Sequence, residues 1–169
     1  PIYGVERYIG KFAESAFGQS YPHIQYIFVN DGTKDNSINI LKEALEKYPA
    51  RKEQVVIVDK ENGGLPAARR TGLEYVTGEY VYHVDSDDWV SEDAVERIVS
   101  RIQETDCDIL YFDFVKEYAD RSKPKSERDY AAADRNLYIR NMYNHKAYGC
   151  VWNKCVRHSL YKDNVVHFP

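Results

Sequence analysis

Three carboxylates stand together in Val84-Asp85-Ser86-Asp87-Asp88-Trp89, directly after the apolar stretch that begins at Tyr80. In open α/β sheets, ligands bind at the carboxyl ends of the strands. Carboxylates crowded there repel one another unless a cation sits among them. Mg²⁺ and Mn²⁺ favour such oxygen ligands, commonly one or two carboxylates together with substrate phosphates. The same residues also suit a solvated acidic turn in which Asp88 caps a helix. Taken alone, the segment leaves both readings open.

A second segment, Val29-Asn30-Asp31-Gly32-Thr33-Lys34-Asp35-Asn36-Ser37, likewise follows an apolar run and leads into a helical pattern. Asp31, at a strand end, is placed to accept a hydrogen bond from an N–H or O–H of a base or ribose. The bland alternative is an Asp-Gly turn, and Asp35 to Ser37 are read as helix caps in either case. The third segment is Glu61-Asn62-Gly63-Gly64-Leu65-Pro66-Ala67-Ala68-Arg69-Arg70. Its glycine pair permits close backbone approach, and the helix that follows turns its positive end toward an anion. The glycine spacing and Lys-Ser/Thr ending of a phosphate-binding P-loop are absent. A tight strand-to-helix turn is the competing reading.

These segments need a scaffold, and residues 1–115 supply one by alternating short apolar runs with helical patterns, as βαβ units do. Val5, Tyr8, Ile9, Phe12 and Ala16 predict a helix to about Gln19. Ile24–Val29, Val55–Val58, Tyr80–Val84 and Ile109–Val115 read as strands. Helices are predicted through Ile38–Leu45, from Pro66 to Val76, and over Val95–Ile102. Ser91 is expected to cap the last, with Glu92 and Asp93 in its first turn. Residues 119–129 read as an exposed, mobile loop, Tyr130–His145 as helical, and Ser159–Asn164 as a short helix. No strand is expected before the first helix, so the sheet is expected to lack its first strand. His83 reads as a packed histidine, and His145, His158 and His167 have no ligand spacing. Trp152 and Lys154 are expected to bury and pair locally.

Composition narrows the class. Of 169 residues, 43% are apolar and 30% charged, which suits a globular chain able to fold without a metal or disulfide staple. A net charge of −4 argues against nucleic acid as the main ligand. No run approaches the ~20 apolar residues of a membrane span. Cys107, Cys150 and Cys155 lack metal spacing and read as free thiols of a reducing, cytoplasmic compartment. The fifteen tyrosines suit stacking on bases or sugars and suit ordinary packing equally.

In order along the chain stand Pro1-Ile2-Tyr3, Val29-Asn30-Asp31-Gly32, Glu61-Asn62-Gly63-Gly64-Leu65 with Ala68-Arg69, and Leu73-Glu74-Tyr75 through Gly78-Glu79-Tyr80 to Asp85-Ser86-Asp87-Asp88. This sequence closely resembles the bacterial glycosyltransferase family 2 enzymes of the GT-A fold, over residues 1 to about 115. The likeness is looser over Val151-Trp152-Asn153-Lys154 and from Arg157 to Pro169. The resemblance implies an α/β, Rossmann-like fold with a mostly parallel central sheet and helices on both faces. It divides the chain into a nucleotide-sugar-binding core, 1–115, and an acceptor-side extension of the same domain, 116–169. It implies a donor site with Pro1 and Tyr3 beside the base, Asp31 on the base, Gly63 and Gly64 close to the donor, and Arg69 on base or phosphate. Asp85 would hold the ribose or assist a metal. Asp87 would ligate Mn²⁺ or Mg²⁺, and Asp88 would support the turn.

The implied reaction moves a sugar from a nucleotide diphosphate, UDP in the first instance, to a glycan or lipid-linked acceptor, with inversion. The acceptor would be a growing polysaccharide, made on the cytoplasmic side with peripheral membrane association. Gly4 departs from the usual asparagine, and Pro66 and Arg70 from commoner residues. The family's usual catalytic aspartate, in a Glu-Asp pair, is expected beyond Pro169. Two alternatives stand beside this reading: a non-catalytic nucleotide-sugar-binding module, and a sugar nucleotidyltransferase, whose usual glycine-rich opening is missing.

Overall fold

A computed structural model describes residues 1–126, 135–144, 148–163 and 168. The chain alternates helices and strands. Helix α1 (Ile9–Phe17) leads to β1 (Tyr26–Asn30), α2 (Ser37–Glu46), a 3-10 turn (Pro49–Gln54) and β2 (Val55–Asp59). Then come α3 (Gly64–Glu74), β3 (Tyr80–Tyr82), α4 (Ala94–Thr105) and β4 (Ile109–Tyr111). A hairpin of β5 (Phe114–Glu117) and β6 (Ser122–Lys125) precedes α5 (Arg135–Tyr143), β7 (Lys154–Arg157) and α6 (Ser159–Lys162).

The α1 stripe follows from its spacing. Ile9, Phe12, Ala13, Ala16 and Phe17 are all buried, at the i, i+3, i+4, i+7 and i+8 positions of one helix face. They pack with Ile2, Tyr26, Phe28 and Leu41 into the main core. Phe17 meets Tyr26 and Phe28 edge-on, with ring centroids 5.4 and 5.8 Å away. Strands β1 and β2 run parallel with Tyr26 opposite Val55 and Asn30 opposite Asp59. That register places Asp31 and Lys60 side by side at the carboxyl end.

The α/β architecture agrees with expectation, but the strand pairing is mixed. β7 lies between β3 and β4 and runs antiparallel to both, with Val156 opposite Val81 and Ile109. Its paired neighbours make residues beyond 115 part of the same sheet. Arg157 clamps this seam through Glu79, Asp106 and Asp108.

Four expectations are refined or corrected. First, no strand precedes α1 among the described residues, as expected, but Ile2 makes one isolated parallel bridge to Asn30: its N donates to Val29 O at 2.7 Å and its O accepts from Asp31 N at 3.0 Å. Second, α4 begins at Ala94, not after Ser91, because its cap comes from elsewhere. The buried Gln19 accepts from Val95 N through Oε1 and donates to Ser91 O and Ser15 O. Third, the strand predicted over Ile109–Val115 breaks after Tyr111, where Phe112 N turns to Asn153 O. The strand predicted over Tyr80–Val84 also stops early, at Tyr82. Fourth, part of the predicted 119–129 loop is β6, paired with β5. Pro124 is tolerated there because an edge strand has a backbone face without ladder bonds. The predicted helix over Tyr130–His145 is described from Arg135 to Tyr143. His145, His167 and most of the Val165–Pro169 segment fall outside the described residues.

Between β1 and β3 lies a cavity of about 460 Å³, lined by Ile27, Val29, Gly72, Leu73, Val81 and His83 among others. Among the described residues, no strand pairs with both β1 and β3. An apolar strand of about five residues joined ahead of Pro1 is expected to seat there. Two or three buried aliphatic side chains, at roughly 1.5–3 kcal/mol each before ordering costs, should raise the melting temperature by about 5–10 °C. An unchanged melting temperature, measured calorimetrically, would show that the gap closes on itself.

Candidate functional site

The three segments singled out in the sequence converge at the carboxyl ends of β1, β2 and β3. Asp31, the residue after β1, is 3% exposed. Its Oδ1 accepts from Lys60 Nζ at 2.6 Å and from Gly63 N at 3.0 Å, and its Oδ2 from Gly64 N at 2.8 Å. Burial pushes the carboxyl pKa up, but the Lys60 ammonium and the two backbone N–H groups outweigh it and carry the net shift below the ordinary value. Asn62 Nδ2 donates to the Asp31 carbonyl at 3.1 Å, tying the glycine loop to β1.

That loop needs its glycines. Gly64 has φ +81°, which a side chain would strain, and a Cβ on Gly63 would lie 2.8 Å from Lys60 Nζ. The first N–H groups of α3 are thereby turned onto a carboxylate, the partner a helix N-terminus favours.

One α3 turn onward, Arg69 donates from Nη2 to Asp85 Oδ1 at 2.6 Å, with side chains 11% and 25% exposed. Arg69 Nε is buried and has no hydrogen-bond partner among the described residues; the same holds for His83 Nε2. Burial, and then the Arg69 charge, push the His83 imidazole down to about 4, so it is neutral at pH 7. Its ring sits edge-on to Tyr161 and Phe168, a packed histidine as expected. Ser86 is buried and donates to the Pro1 carbonyl at 2.7 Å, fixing Pro1 beside the acidic turn.

The turn itself is held by Asp88 N donating to Asp85 O at 3.1 Å. Asp87 and Asp88 are exposed. Burial, followed by the charges of Asp87 and Asp85, raises the Asp88 pKa. A cation would relieve the smaller, like-charge contribution of Asp87 and Asp85. Among the described residues no three acidic, histidine or cysteine side chains converge into a chelate. The donor set fits a divalent ion held by one or two carboxylates plus a ligand's phosphates, the usual Mg²⁺ arrangement.

Tyr3 is 57% exposed. The backbone after it is stapled to the loop following β1: Gly4 N donates to Thr33 Oγ1 and Glu6 N to Asp35 Oδ2. Gly4 has φ +68° with open space around its Cβ position, a conformation asparagine also tolerates, so its departure from the family's usual residue is mild. Asp35 caps α2, accepting from Ser37 N and Ser37 Oγ at 3.2 and 2.6 Å.

Burial raises the Asp35 pKa, but the Ser37 and Thr33 hydroxyls and the Ser37 and Glu6 N–H groups lower it to about 2. Its folded pKa lies below its unfolded value, so its contribution is full above about pH 4 and is lost as pH falls toward 2. Asp35→Ala should therefore cost about 1 kcal/mol at pH 7. The gap from the parent should close on acidification, as read from urea midpoints at pH 7 and pH 2.5. A gap that persists at the lower pH contradicts the capping role.

Beyond Asp87 and Asp88 opens a groove of about 1460 Å³ between α4 and the β5–β6 hairpin, with Trp89, Tyr111, Phe114, Tyr118 and Trp152 on its walls. Lys154 Nζ donates to its neighbour Asn153 Oδ1, the local pairing expected, whereas Trp152 meets Phe114 of the distant hairpin edge-on at 4.6 Å; both residues are half-buried rather than buried. Lys60, Asn62 and Ser86 join the site without a local sequence signal of their own; the Lys60–Asp31 pairing depends on the β1–β2 register.

The family model for "Glycosyl transferase family 2" matches residues 1–165. Glycosyltransferase GlyA of Streptococcus pneumoniae serotype 4 is 41% identical over 117 residues, which span 68% of this chain and 16% of GlyA. The protein EpsH of Bacillus subtilis is 30% identical over 171 residues, spanning 99% of this chain and 48% of EpsH. The S. aureus TarS fragment 1–349, solved in complex with UDP-GlcNAc, superposes with a TM-score of 0.81 at 26% identity. That match covers all of this chain and 47% of the fragment. The chain thus spans less than half the length of each of these relatives.

Proposed function

The chain belongs to glycosyl transferase family 2, and from that premise we propose that it forms the donor-binding part of a glycosyltransferase using a UDP-sugar. The observation that carries the reading is the convergence of buried Asp31, the Gly63-Gly64 turn and the Arg69–Asp85 pair at the strand ends. In this reading residues 1–115 are the donor core and 116–169 the acceptor-side extension. Asp31 accepts the imide N–H of uracil, and Tyr3 and Pro1 flank the base. Gly63 and Gly64 let the donor approach the backbone, Arg69 turns to base or phosphate, and Asp85 holds the ribose. The UDP-GlcNAc bound by TarS supports the choice of a uridine donor.

Asp87, with Asp85 beside it, would hold Mn²⁺ or Mg²⁺, which neutralises charge on the departing diphosphate when bound. A mannosyltransferase of related fold, PcManGT from Pyrobaculum calidifontis, carries GDP-Man and Mn²⁺. The residues of this chain bind and orient: fixing base and ribose positions the anomeric carbon for attack. The acceptor hydroxyl attacks that carbon with inversion, the nucleoside diphosphate departs, and the hydroxyl proton passes to a carboxylate base.

The aromatic groove next to Asp87 supports a glycan or lipid-linked glycan acceptor, because sugar faces stack on such rings. We place the reaction at the cytoplasmic face of the membrane. Among the described residues no helix is long and apolar enough to cross a membrane. The test is donor turnover by the full-length protein. UDP released from a UDP-sugar, with UTP left unconsumed, is the expected result. UTP consumption would identify a nucleotidyltransferase, and binding without turnover a non-catalytic module.

A further inference from the structure

The Asp31 carboxylate has a countable number of free acceptor positions. An ionised carboxylate offers about four lone-pair sites, two on each oxygen. Oδ1 has both filled, by Lys60 Nζ and Gly63 N, and Oδ2 has one filled, by Gly64 N. One position is left, on Oδ2. Two of the three donors are backbone groups that the glycine turn supplies whatever its side chains. The third is a choice made by the sequence.

Lys60 is built into place. It follows β2 directly, and its N donates to Asn30 O at 3.0 Å, continuing the parallel register that sets it beside Asp31. Its ammonium also donates to the Glu61 carbonyl, so it is held on two sides. The side chain is 21% exposed and the Asp31 side chain 4%. The missing Cβ of Gly63 makes the room that the ammonium occupies.

We propose that Lys60 determines which base the donor site accepts, by filling the second acceptor position of Asp31 Oδ1 so that the carboxylate can take one N–H and no more. This rests on the reading of Asp31 as the base-binding residue. Uracil presents a single imide N–H and is satisfied by the remaining Oδ2 position. Guanine presents N1–H and an exocyclic amine side by side, a pair of donors matched to both oxygens of a free carboxylate. With Oδ1 filled, one of them is buried without a partner, which is costly. Cytosine offers a ring acceptor where the carboxylate needs a donor.

Two comparisons test this by titration calorimetry in Mn²⁺. In the parent protein, inosine diphosphate, which keeps N1–H and lacks the exocyclic amine, should bind about fivefold or more tighter than GDP. In Lys60→Met, affinity for GDP relative to UDP should rise about tenfold as Oδ1 is freed. Lys60→Arg, which still donates, should keep the parent ratio. The inosine comparison needs no variant, so it stands even if Lys60→Met fails to fold. GDP binding as tightly as inosine diphosphate in the parent overturns the proposal, as does a Lys60→Met ratio equal to the parent's. Purine diphosphates undetectable in both parent and Lys60→Met overturn it too, since size then sets the choice. A parent protein that binds no UDP overturns the donor-site reading itself, and the proposal with it.

Discussion

Asp31→Ala is expected to abolish UDP binding and to destabilise the fold by roughly 3–5 kcal/mol, the cost of removing one partner from a buried charge pair. Both effects come from one carboxylate. It is nearly inaccessible and neutralises Lys60 while absorbing two N–H groups of the Gly63-Gly64 turn. Its loss leaves an ammonium and two helix-terminal donors without their acceptor, and the glycine turn loses the anchor that fixes it against β1. Asp31→Asn separates the two roles. The amide keeps the shape of the side chain and supplies one acceptor oxygen, but it presents an N–H where uracil also presents one. It should lose about 1–3 kcal/mol of the preference for UDP over CDP, the range for a hydrogen bond to a charged group. Urea denaturation and calorimetry on the same samples measure both. UDP affinity equal to the parent's in Asp31→Ala would remove Asp31 from the site.

Asp87→Ala is expected to do the opposite: to leave stability within about 0.5 kcal/mol of the parent, as exposed substitutions do, while removing the Mn²⁺-dependent part of UDP affinity. Asp87 is exposed, and its charge raises the pKa of Asp88. Removing it relieves repulsion in the unliganded protein and takes away the carboxylate best exposed to a bound ion. The parent should bind UDP at least about tenfold more tightly with Mn²⁺ than with chelator, a difference of ~1.4 kcal/mol. The variant should give one affinity under both conditions. A variant that retains the full metal dependence would shift the metal to Asp85 or Asp88.

Much of the candidate site was legible because its residues stand where an apolar run ends. Asp31 follows β1, the Gly63-Gly64 pair opens α3, and Asp85 lies three residues past β3. Local pattern suffices to find such positions. Lys60 was not legible, because its importance depends on the β1–β2 register, a non-local fact that no local pattern encodes. The α4 start differs from the sequence expectation for a related reason. Ser91, Glu92 and Asp93 form a plausible capping sequence, yet Gln19, far away in the chain, supplies the acceptor. β7 went unseen because Lys154-Cys155-Val156-Arg157 is short and half polar. Its burial comes from being sandwiched between β3 and β4 rather than from its own hydrophobicity. β6 was hidden by Pro124 and a run of charges, a composition that an edge strand accepts and a central strand does not.

The proposed uridine diphosphate site lies at the carboxyl ends of β1, β2 and β3. Titrating ¹⁵N-labelled protein with UDP and Mg²⁺, while following the backbone amide resonances, tests it residue by residue. Saturable shifts are expected at Asp31, Gly63, Gly64, Asp85 and Ser86, with Gly63 and Gly64 among the largest because their N–H groups share the carboxylate proposed to receive the base. Shifts confined to the Tyr111–Tyr118 wall of the aromatic groove, or no saturable shift at any UDP concentration, would contradict it.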